Sequence, residues 1–369
     1  MWVCSRVVLL IFIDEIEKEV DYIVVGQGLA GTSVALRLMG AGKRVLIFDE
    51  PQKNNCSRVA AGLFNPITGK GSVKTWLAEQ LYESFTHFYV QCERLLATKF
   101  FFPMPLYRPF GSIEEQNNWM GKSADKRPSQ FVKSVFTKTT FGDQVNDPFG
   151  GMLLSGCGYL DVPLFLEIAR NYFFSNNSYQ ESFFDYSSID PSLAGVRYQD
   201  IKAKKIIFCS GVSANPFFDW LAIRPLKGET VTVQLPINLS VIFNKGVYLV
   251  PVNGTTAYKV GSTYELQDVK PQVTLKGRAE LEDKLQNLLK INFEVTDQQW
   301  GIRPTTIDRR PMLGAHPKYE NLIIFNGLGT KGVSLAPYFS DQLANWLGGI
   351  GEILPEVNIK RFKALYSSS

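Results

Sequence analysis

The stretch from Asp21 to Glu50, DYIVVGQGLAGTSVALRLMGAGKRVLIFDE, constrains this chain more than any other. Tyr22 to Val25 is a short apolar run rich in β-branched residues, and it reads as a buried strand. Gly26, Gly28 and Gly31 follow in the spacing G-x-G-x-x-G. Thr32 to Met39 then carries apolar residues at helical spacing and stops at Gly40 and Gly42. Val45 to Phe48 is a second buried strand, running into Asp49 and Glu50. Each glycine of such a strand–turn–helix–strand unit has its own task. Gly26 allows the tight turn, Gly28 lets a pyrophosphate approach the backbone, and Gly31 lets the helix pack closely on the strand. The helix N-terminus offers N–H groups and the positive end of a dipole to the phosphates. An acid at the tip of the second strand can hold ribose hydroxyls, and it disfavours a 2′-phosphate. The unit therefore reads as a dinucleotide site, and by itself it does not decide between NAD and FAD.

A length of 369 residues suggests two domains. With 45% hydrophobic and 20% charged residues the composition is that of an ordinary globular protein. A net charge of +4 permits an acidic ligand and does not argue for nucleic acid. The cysteines, at positions 4, 56, 92, 157 and 209, form no C-x-x-C pair, and there are two histidines, so no metal site is expected. Scattered single cysteines suit a reducing, cytoplasmic setting. Val7 to Ile13 is apolar but too short to span a membrane, and acidic Asp14 to Glu19 stands where a cleavage site would be. Residues 1–19 are read as an N-terminal extension, an extra strand or a misassigned start. No other stretch approaches the length of a membrane span.

Further along, Cys56 to Pro66 is a loop of small residues with one arginine, suited to lie against a cofactor. Val73 to Ala97 is expected to be one long helix with Trp76, Leu77, Leu81, Phe85, Phe88 and Tyr89 on its core face. Lys99 to Pro109 reads as an irregular or edge segment, and Ser112 to Arg127 as a polar helix with a surface loop. Val162 to Phe173 is an amphipathic helix capped by Asp161. Lys205 to Ser210 is another buried strand. Gly246 to Pro251 and Thr256 to Gly261 read as paired strands about an Asn253-Gly254 turn. Leu275 to Leu289 is a helix, Leu322 to Asn326 a strand, and Val333 to Leu347 a closing helix, with Gly327-Leu328-Gly329-Thr330-Lys331-Gly332 between the last two. His316 reads as a loop residue. The expected fold class is α/β: a Rossmann-type cofactor domain with a second domain on a mixed or antiparallel sheet. The expected division is residues 20–79, 150–224 and 301–369 for the cofactor domain and 80–149 with 225–300 for the substrate domain.

Several segments together, DYIVVGQGLAGTSVALRL, SRVAAGLFNP, FCSG, PLKGE, YLVP, VGSTYE, GIRPTTIDRRPMLG and GLGTKGVSLAP, resemble the D-amino-acid oxidase superfamily of FAD-dependent amine oxidoreductases. The likeness runs from Asp21 to Leu347. It is strongest to glycine and sarcosine oxidases, with a second likeness to the flavin domain of the bifunctional enzyme that matures wobble uridine in tRNA. The resemblance implies that Gly26, Gly28, Leu29, Ala30 and Gly31 hold the pyrophosphate of FAD and that Asp49 or Glu50 holds its ribose. It places Ser57, Arg58, Ala61 and Gly62 along the flavin and ribityl chain, Ser210 and Gly211 at the adenine half, and Gly327, Leu328, Gly329, Thr330, Lys331 and Gly332 over the isoalloxazine. That last loop opens a helix, so its N–H groups and Lys331 favour negative charge at the N1–C2=O end of the flavin.

The resemblance also implies a substrate end. Arg303 falls where such enzymes place the arginine that clamps the substrate carboxylate, a task suited to a planar, permanently charged fork. Tyr248 and Tyr264 fall on pocket positions of the glycine oxidases. The implied reaction is oxidation of the C–N bond of a small amino acid or secondary amine. Two other readings stand beside it: oxidation of a carboxymethylaminomethyl group on tRNA wobble uridine, and a non-catalytic flavin-binding protein. The electron acceptor and the oligomeric state are left open. Relatives that attach FAD covalently do so through a Cys near the Arg303 position or a His near the Ser57 position, and here those neighbourhoods read WGIRPTT and NNCSRV. FAD is therefore expected to be bound without a covalent link. Acid precipitation of the yellow protein should leave the colour in the supernatant; colour retained in the pellet would overturn the expectation.

Overall fold

The computed structural model describes residues 18–50, 56–69, 73–125, 130–191 and 195–366. The expected N-terminal extension lies outside the described residues except for Lys18 and Glu19, which open strand β1, Lys18–Val25. β1 pairs in parallel with β2, Val45–Asp49, on one side and with Ile201–Phe208 on the other. Parallel neighbours need a crossover, and helix α1, Leu29–Gly40, supplies the first one. Tyr179–Glu181 extends the sheet beyond β2, and Val196–Tyr198 and Ile189–Asp190 extend it beyond Ile201–Phe208. Leu322–Asn326 joins the end of Ile201–Phe208 in parallel, and Met312–Ala315 folds back on it. Where the strands run side by side, Tyr22 to Val25, Val45 to Phe48, Ile206 to Phe208 and Leu322 to Phe325 are apolar and buried because both faces are covered. On one face lie α1, the helix Val162–Ser175, helix α3 over Ala78–Leu96, and the closing helix Gly332–Leu347. On the other lie Phe184, Tyr198, Phe218 and Leu221.

The second sheet has the order Glu294–Thr305, Arg224–Gln234, Ala257–Gly261, Val247–Pro251, Ile242–Lys245, Leu106–Pro109, Gly151–Leu154, Val132–Phe136. It is antiparallel except where Ile242–Lys245 runs parallel to Leu106–Pro109. Side chains alternate between its two faces. Val231, Val233, Phe243, Leu249, Tyr258, Val260 and Tyr107 pack under Leu281, Leu285 and Leu288 of the helix Leu275–Leu288. The opposite set turns toward the first sheet. Leu106, Ile242 and Val250 of that set join Phe110, Met152, Leu154 and Tyr159 in a separate apolar cluster.

Two expectations change. The helix expected over 73–97 begins only at Ala78; Val73–Lys74 pairs with Ile67–Thr68, and Leu77 takes a left-handed φ of 53° that sets the helix apart from it. The 99–109 segment is an edge only in part: Phe101–Pro103 ends a three-stranded sheet, whereas Leu106–Pro109 lies inside the second sheet with partners on both sides. His316 is a loop residue as expected, and it is buried, its Nδ1 accepting from the N–H groups of Lys318 and Tyr319; burial holds its pKa below the ordinary value. The other main elements fall where expected, and Asp161 caps its helix by accepting from Leu164 N–H at 3.1 Å. Among the described residues no helix is long and apolar enough to cross a membrane.

The closing helix contains Pro337, which has no N–H to give to the carbonyl of Val333 four residues back. Tyr89 of α3 fills the gap: its hydroxyl donates to Val333 O at 2.8 Å in a fully buried setting. One bond thus repairs the helix and fastens α3 to it. Tyr89→Phe would leave that carbonyl buried without a partner and should destabilise the fold by about 1–3 kcal/mol in denaturant unfolding. No measurable change would mean that the carbonyl finds another donor.

Candidate functional site

A cavity of about 1770 Å³ runs between the two sheets. At one end stands the glycine turn. Gly26 has φ +97°, and its N–H donates to Phe48 O at 2.8 Å, which ties the turn to β2. A Cβ on Gly31 would lie 1.8 Å from Gly26 O, so only glycine lets α1 start this close to the turn. The N–H groups of the first turn of α1 have no partner within the helix. Ser57, on the short helix α2, Cys56–Val59, faces them: Leu29 N–H donates to its Oγ at 3.3 Å. A Cβ on Gly28 would meet the same Oγ at 3.2 Å. At the tip of β2, Asp49 Oδ1 accepts from Gln27 N–H at 2.9 Å, and the Tyr179 hydroxyl stands 3.5 Å from Oδ2. Burial raises the pKa of Asp49, with the Gln27 bond and the charges of Arg58 and Arg170 opposing it.

Most of the residues expected at the site do line this cavity: Gly26, Gly28, Leu29, Ala30, Asp49, Glu50, Ser57, Ala61, Gly62, Ser210, Gly211, the whole run Gly327 to Gly332, Tyr248, Tyr264 and Arg303. Gly31 and Arg58 do not. Gly31 packs α1 on the turn, and Arg58 stands close enough to Asp49 to act on it electrostatically. The loop after Leu322–Asn326 is tied on both sides. Asn326 Nδ2 donates to Gly211 O at 2.8 Å, and Gly329 N–H donates to Pro304 O at 3.0 Å. Lys331 precedes the closing helix, and partial desolvation, with the charges of Arg310 and Arg309, lowers its pKa.

The other wall is the inward face of the second sheet. Arg303 lies on Glu294–Thr305, opposite Leu226. Its Nη2 donates to Ser262 Oγ at 2.8 Å, and its Nη1 lies 3.5 Å from Thr263 O. The guanidinium lies over Gly228, where a Cβ would come within 2.2 Å of it, and 5.2 Å from the centroid of the Tyr264 ring. Among the described residues no carboxylate pairs with it. Tyr248 opposes Gly261 on the same wall. Burial pushes its phenol up to about 12, against the opposing pull of Arg303 and Ser262, so it stays a neutral donor. The partners of Arg303 are themselves fixed. Glu229 N–H donates to Thr263 Oγ1 at 2.8 Å, and Lys227 and Glu265 exchange two backbone bonds of 3.0 Å. The buried Glu229 carboxylate accepts from Thr274 N–H, Thr274 Oγ1 and Gln298 Nε2 at 2.7–2.9 Å and pairs with Lys227 Nζ at 3.4 Å.

Comparisons with known proteins now bear on this architecture. Residues 21–346 match the family described as DAO, FAD dependent oxidoreductase. The chain belongs to that family. It is 24% identical over 375 residues to a glycine oxidase of Bacillus licheniformis, covering 94% of this chain and 97% of that one. It is 22% identical over 400 residues to the tRNA 5-methylaminomethyl-2-thiouridine biosynthesis bifunctional protein MnmC of Legionella pneumophila, covering 90% of this chain and 55% of that one. The fold matches the crystal structure of glycine oxidase from Geobacillus kaustophilus with a TM-score of 0.77 at 21% identity, over 94% of this chain.

The protein is thus an FAD-dependent oxidoreductase of the glycine oxidase type. The cavity suits the cofactor, since about 300–1,000 Å³ is usual for a small-ligand pocket and this one is larger. Beside the glycine turn, the N–H groups at the start of α1 could hold a pyrophosphate, and Asp49 at the tip of β2 could accept from ribose hydroxyls. Four residues in or near the wall carried no signal in the sequence. Lys259 Nζ donates to Val59 O at 3.1 Å and Gln299 Oε1 at 3.0 Å, and burial lowers its pKa. Thr230, Asn244 and Arg108 line the cavity beside Tyr248. They come from strands distant in sequence, and only the pairing register brings them together. Among the described residues no cluster could hold a metal ion.

The close approach at Gly31 yields a test. Gly31→Ala forces α1 away from the turn, and overpacking of this kind costs roughly 1–3 kcal/mol, so FAD should bind about ten- to a hundredfold more weakly. Fluorescence titration of the deflavinated protein measures it; unchanged affinity would show that the turn tolerates a methyl group.

Proposed function

We propose that this protein oxidises the C–N bond of a small amino acid or a carboxylate-bearing secondary amine, with Arg303 holding the substrate carboxylate. The observation that supports the reading is the state of Arg303. Its guanidinium is fixed on the cavity wall by Ser262 and Thr263, braced by Gly228 and Tyr264, and among the described residues it has no carboxylate partner. A half-buried fork with donors to spare suits an incoming carboxylate, which it can meet through two parallel bonds. Tyr248, neutral across the working pH range, adds one donor on the same wall. Together they fix the carboxylate and therefore the α-carbon, and orientation of this kind supplies much of an enzymatic rate. Bound FAD supplies the two-electron acceptor for the hydride that leaves the α-carbon. The amine nitrogen loses a proton in the same overall change, and water hydrolyses the resulting imine to an oxo acid and an amine. The scheme asks no base of the residues around Arg303, provided that the amine arrives neutral. A reducing, cytoplasmic setting accords with the free thiols of Cys56, Cys92, Cys157 and Cys209.

Anaerobic mixing of the FAD-loaded protein with a panel of amino acids and N-methyl amino acids tests the reading: bleaching at 450 nm is the expected outcome. Removing one member of a desolvated charge pair costs roughly 3–5 kcal/mol, so Arg303→Leu should lower kcat/KM about a thousandfold or more. Arg303→Lys should recover part of the loss, and Tyr248→Phe should cost about 1 kcal/mol. The matching amines without a carboxylate serve as controls. Equal turnover of an amino acid by Arg303→Leu and the wild type would refute the carboxylate role. Bleaching by no free amine, with oxidation of a modified uridine in tRNA, would favour the tRNA reading instead.

A further inference from the structure

We infer that the cavity wall beyond Tyr248 is a second recognition pocket, anchored by Arg108, for a distal carboxylate on the amine substrate. The inference rests on the amine-oxidation reading and extends it to a substrate class: N-substituted amino acids whose substituent ends in an acid.

Strand register brings these residues together. Thr230 opposes Gly261, Gly261 opposes Tyr248, and Tyr248 opposes Asn244. Arg108 and Asn244 each follow the Tyr107–Phe243 pair by one residue. Tyr107 and Phe243 point to the helix-covered face, so Arg108 and Asn244 point to the cavity face with Tyr248. These five residues form one row across five strands, and all five line the cavity. The row two residues away along the strands, Leu106, Ile242 and Val250, is sealed in the apolar cluster. The wall is therefore dry beneath and polar at its open edge. Neighbouring strands lie about 4.8 Å apart, so Arg108, two strands past Tyr248, stands roughly 10 Å beyond it.

The row is short of acceptors. Arg108 is half-buried, and desolvation lowers its pKa. Its acidic neighbour Glu115 reaches it only at 3.9 Å and gives its other oxygen to Gly111 N–H at 2.7 Å. A guanidinium carries five N–H donors, so most of them have capacity for a ligand. Farther along the row, Thr230 is buried, and its hydroxyl finds no partner among the described residues. Buried polar groups are nearly always paired, and a polar ligand lying along this wall would pair them. With Arg303 holding the reacting carboxylate and Arg108 a distal one, the nitrogen of the substrate lies between two fixed anions. An N-(ω-carboxyalkyl)glycine meets this description. It would lose a hydride from the glycine α-carbon to FAD and a proton from nitrogen, and water would then release glyoxylate and an ω-amino acid.

The test uses the full chain loaded with FAD. Anaerobic flavin reduction is followed with N-(ω-carboxyalkyl)glycines of increasing spacer length and with N-alkylglycines of the same lengths that lack the distal acid. At one spacing the diacid should be preferred roughly tenfold or more in kcat/KM, as for a hydrogen bond to a charged group. Arg108→Gln should collapse that preference, Arg108→Lys should keep part of it, and Asn244→Leu should weaken it. As a readout apart from turnover, straight-chain dicarboxylates should perturb the flavin absorption of the wild type at lower concentration than that of Arg108→Gln. Equal handling of diacids and N-alkylglycines at every spacing, or a diacid preference that survives Arg108→Gln, overturns the inference and leaves amine oxidation standing. Bleaching by no amine overturns amine oxidation itself, and the dicarboxylate titration then decides the Arg108 pocket alone.

Discussion

The period-two alternation of the second sheet is the constraint on which the site depends. Along Glu294–Thr305, Gln299, Gly301 and Arg303 share one face, and Ile302 and Pro304 the other. A slip of one residue would turn Arg303 to the opposite face of the sheet, away from Ser262 and the open space over Gly228. Register is fixed where it matters most. Gly228 and Gly301 face each other, and each is bare of a side chain where another group needs the room: the Arg303 guanidinium over Gly228, and Cys56 over Gly301, where a Cβ would lie 3.2 Å from the Cys56 Cα. The short helix that carries Ser57 can thereby rest on the strand that carries Arg303, which couples the cofactor cradle to the substrate wall.

Two buried polar arrangements hold this geometry. The Glu229 carboxylate, 3% exposed, would be costly on its own, but Thr274, Gln298 and Lys227 satisfy it. They fasten the segment 262–274 at its far end while Thr263 fastens it at the near end, so Ser262 stays in reach of Arg303. Pro337 removes one donor from the closing helix, and the Tyr89 hydroxyl replaces it from a different helix. In both cases a local deficit is met by a group remote in sequence, and the repair doubles as a tertiary tie.

This explains what could and could not be read from the sequence. The dinucleotide unit was legible because its glycines answer local demands: a positive φ at Gly26 and a close approach at Gly31. Arg303 and Tyr248 were legible through family likeness alone, since nothing in their spacing marks a pocket. The strand Glu294–Thr305 was not legible, because it runs beside a cavity and most of its side chains are only partly covered, without clean alternation. The start of α3 was misplaced because Leu77 adopts a left-handed conformation that its type does not favour. Arg108 and Asn244 lie over 130 residues apart, and only the parallel pairing of their strands makes them neighbours. Nothing in the run PLKGE marks Glu229 and Lys227 as buried, and only their remote partners make that burial possible.

The central claim is that Arg303 is held open for a carboxylate. A crystal structure of the FAD-loaded protein with a short unreactive carboxylate such as acetate tests it most directly. The account predicts both carboxylate oxygens within hydrogen-bonding distance of the Arg303 guanidinium, on the cavity face of the sheet and beside Tyr248. Acetate bound at Lys331 or elsewhere, with Arg303 still engaged only by Ser262 and Thr263, would contradict it.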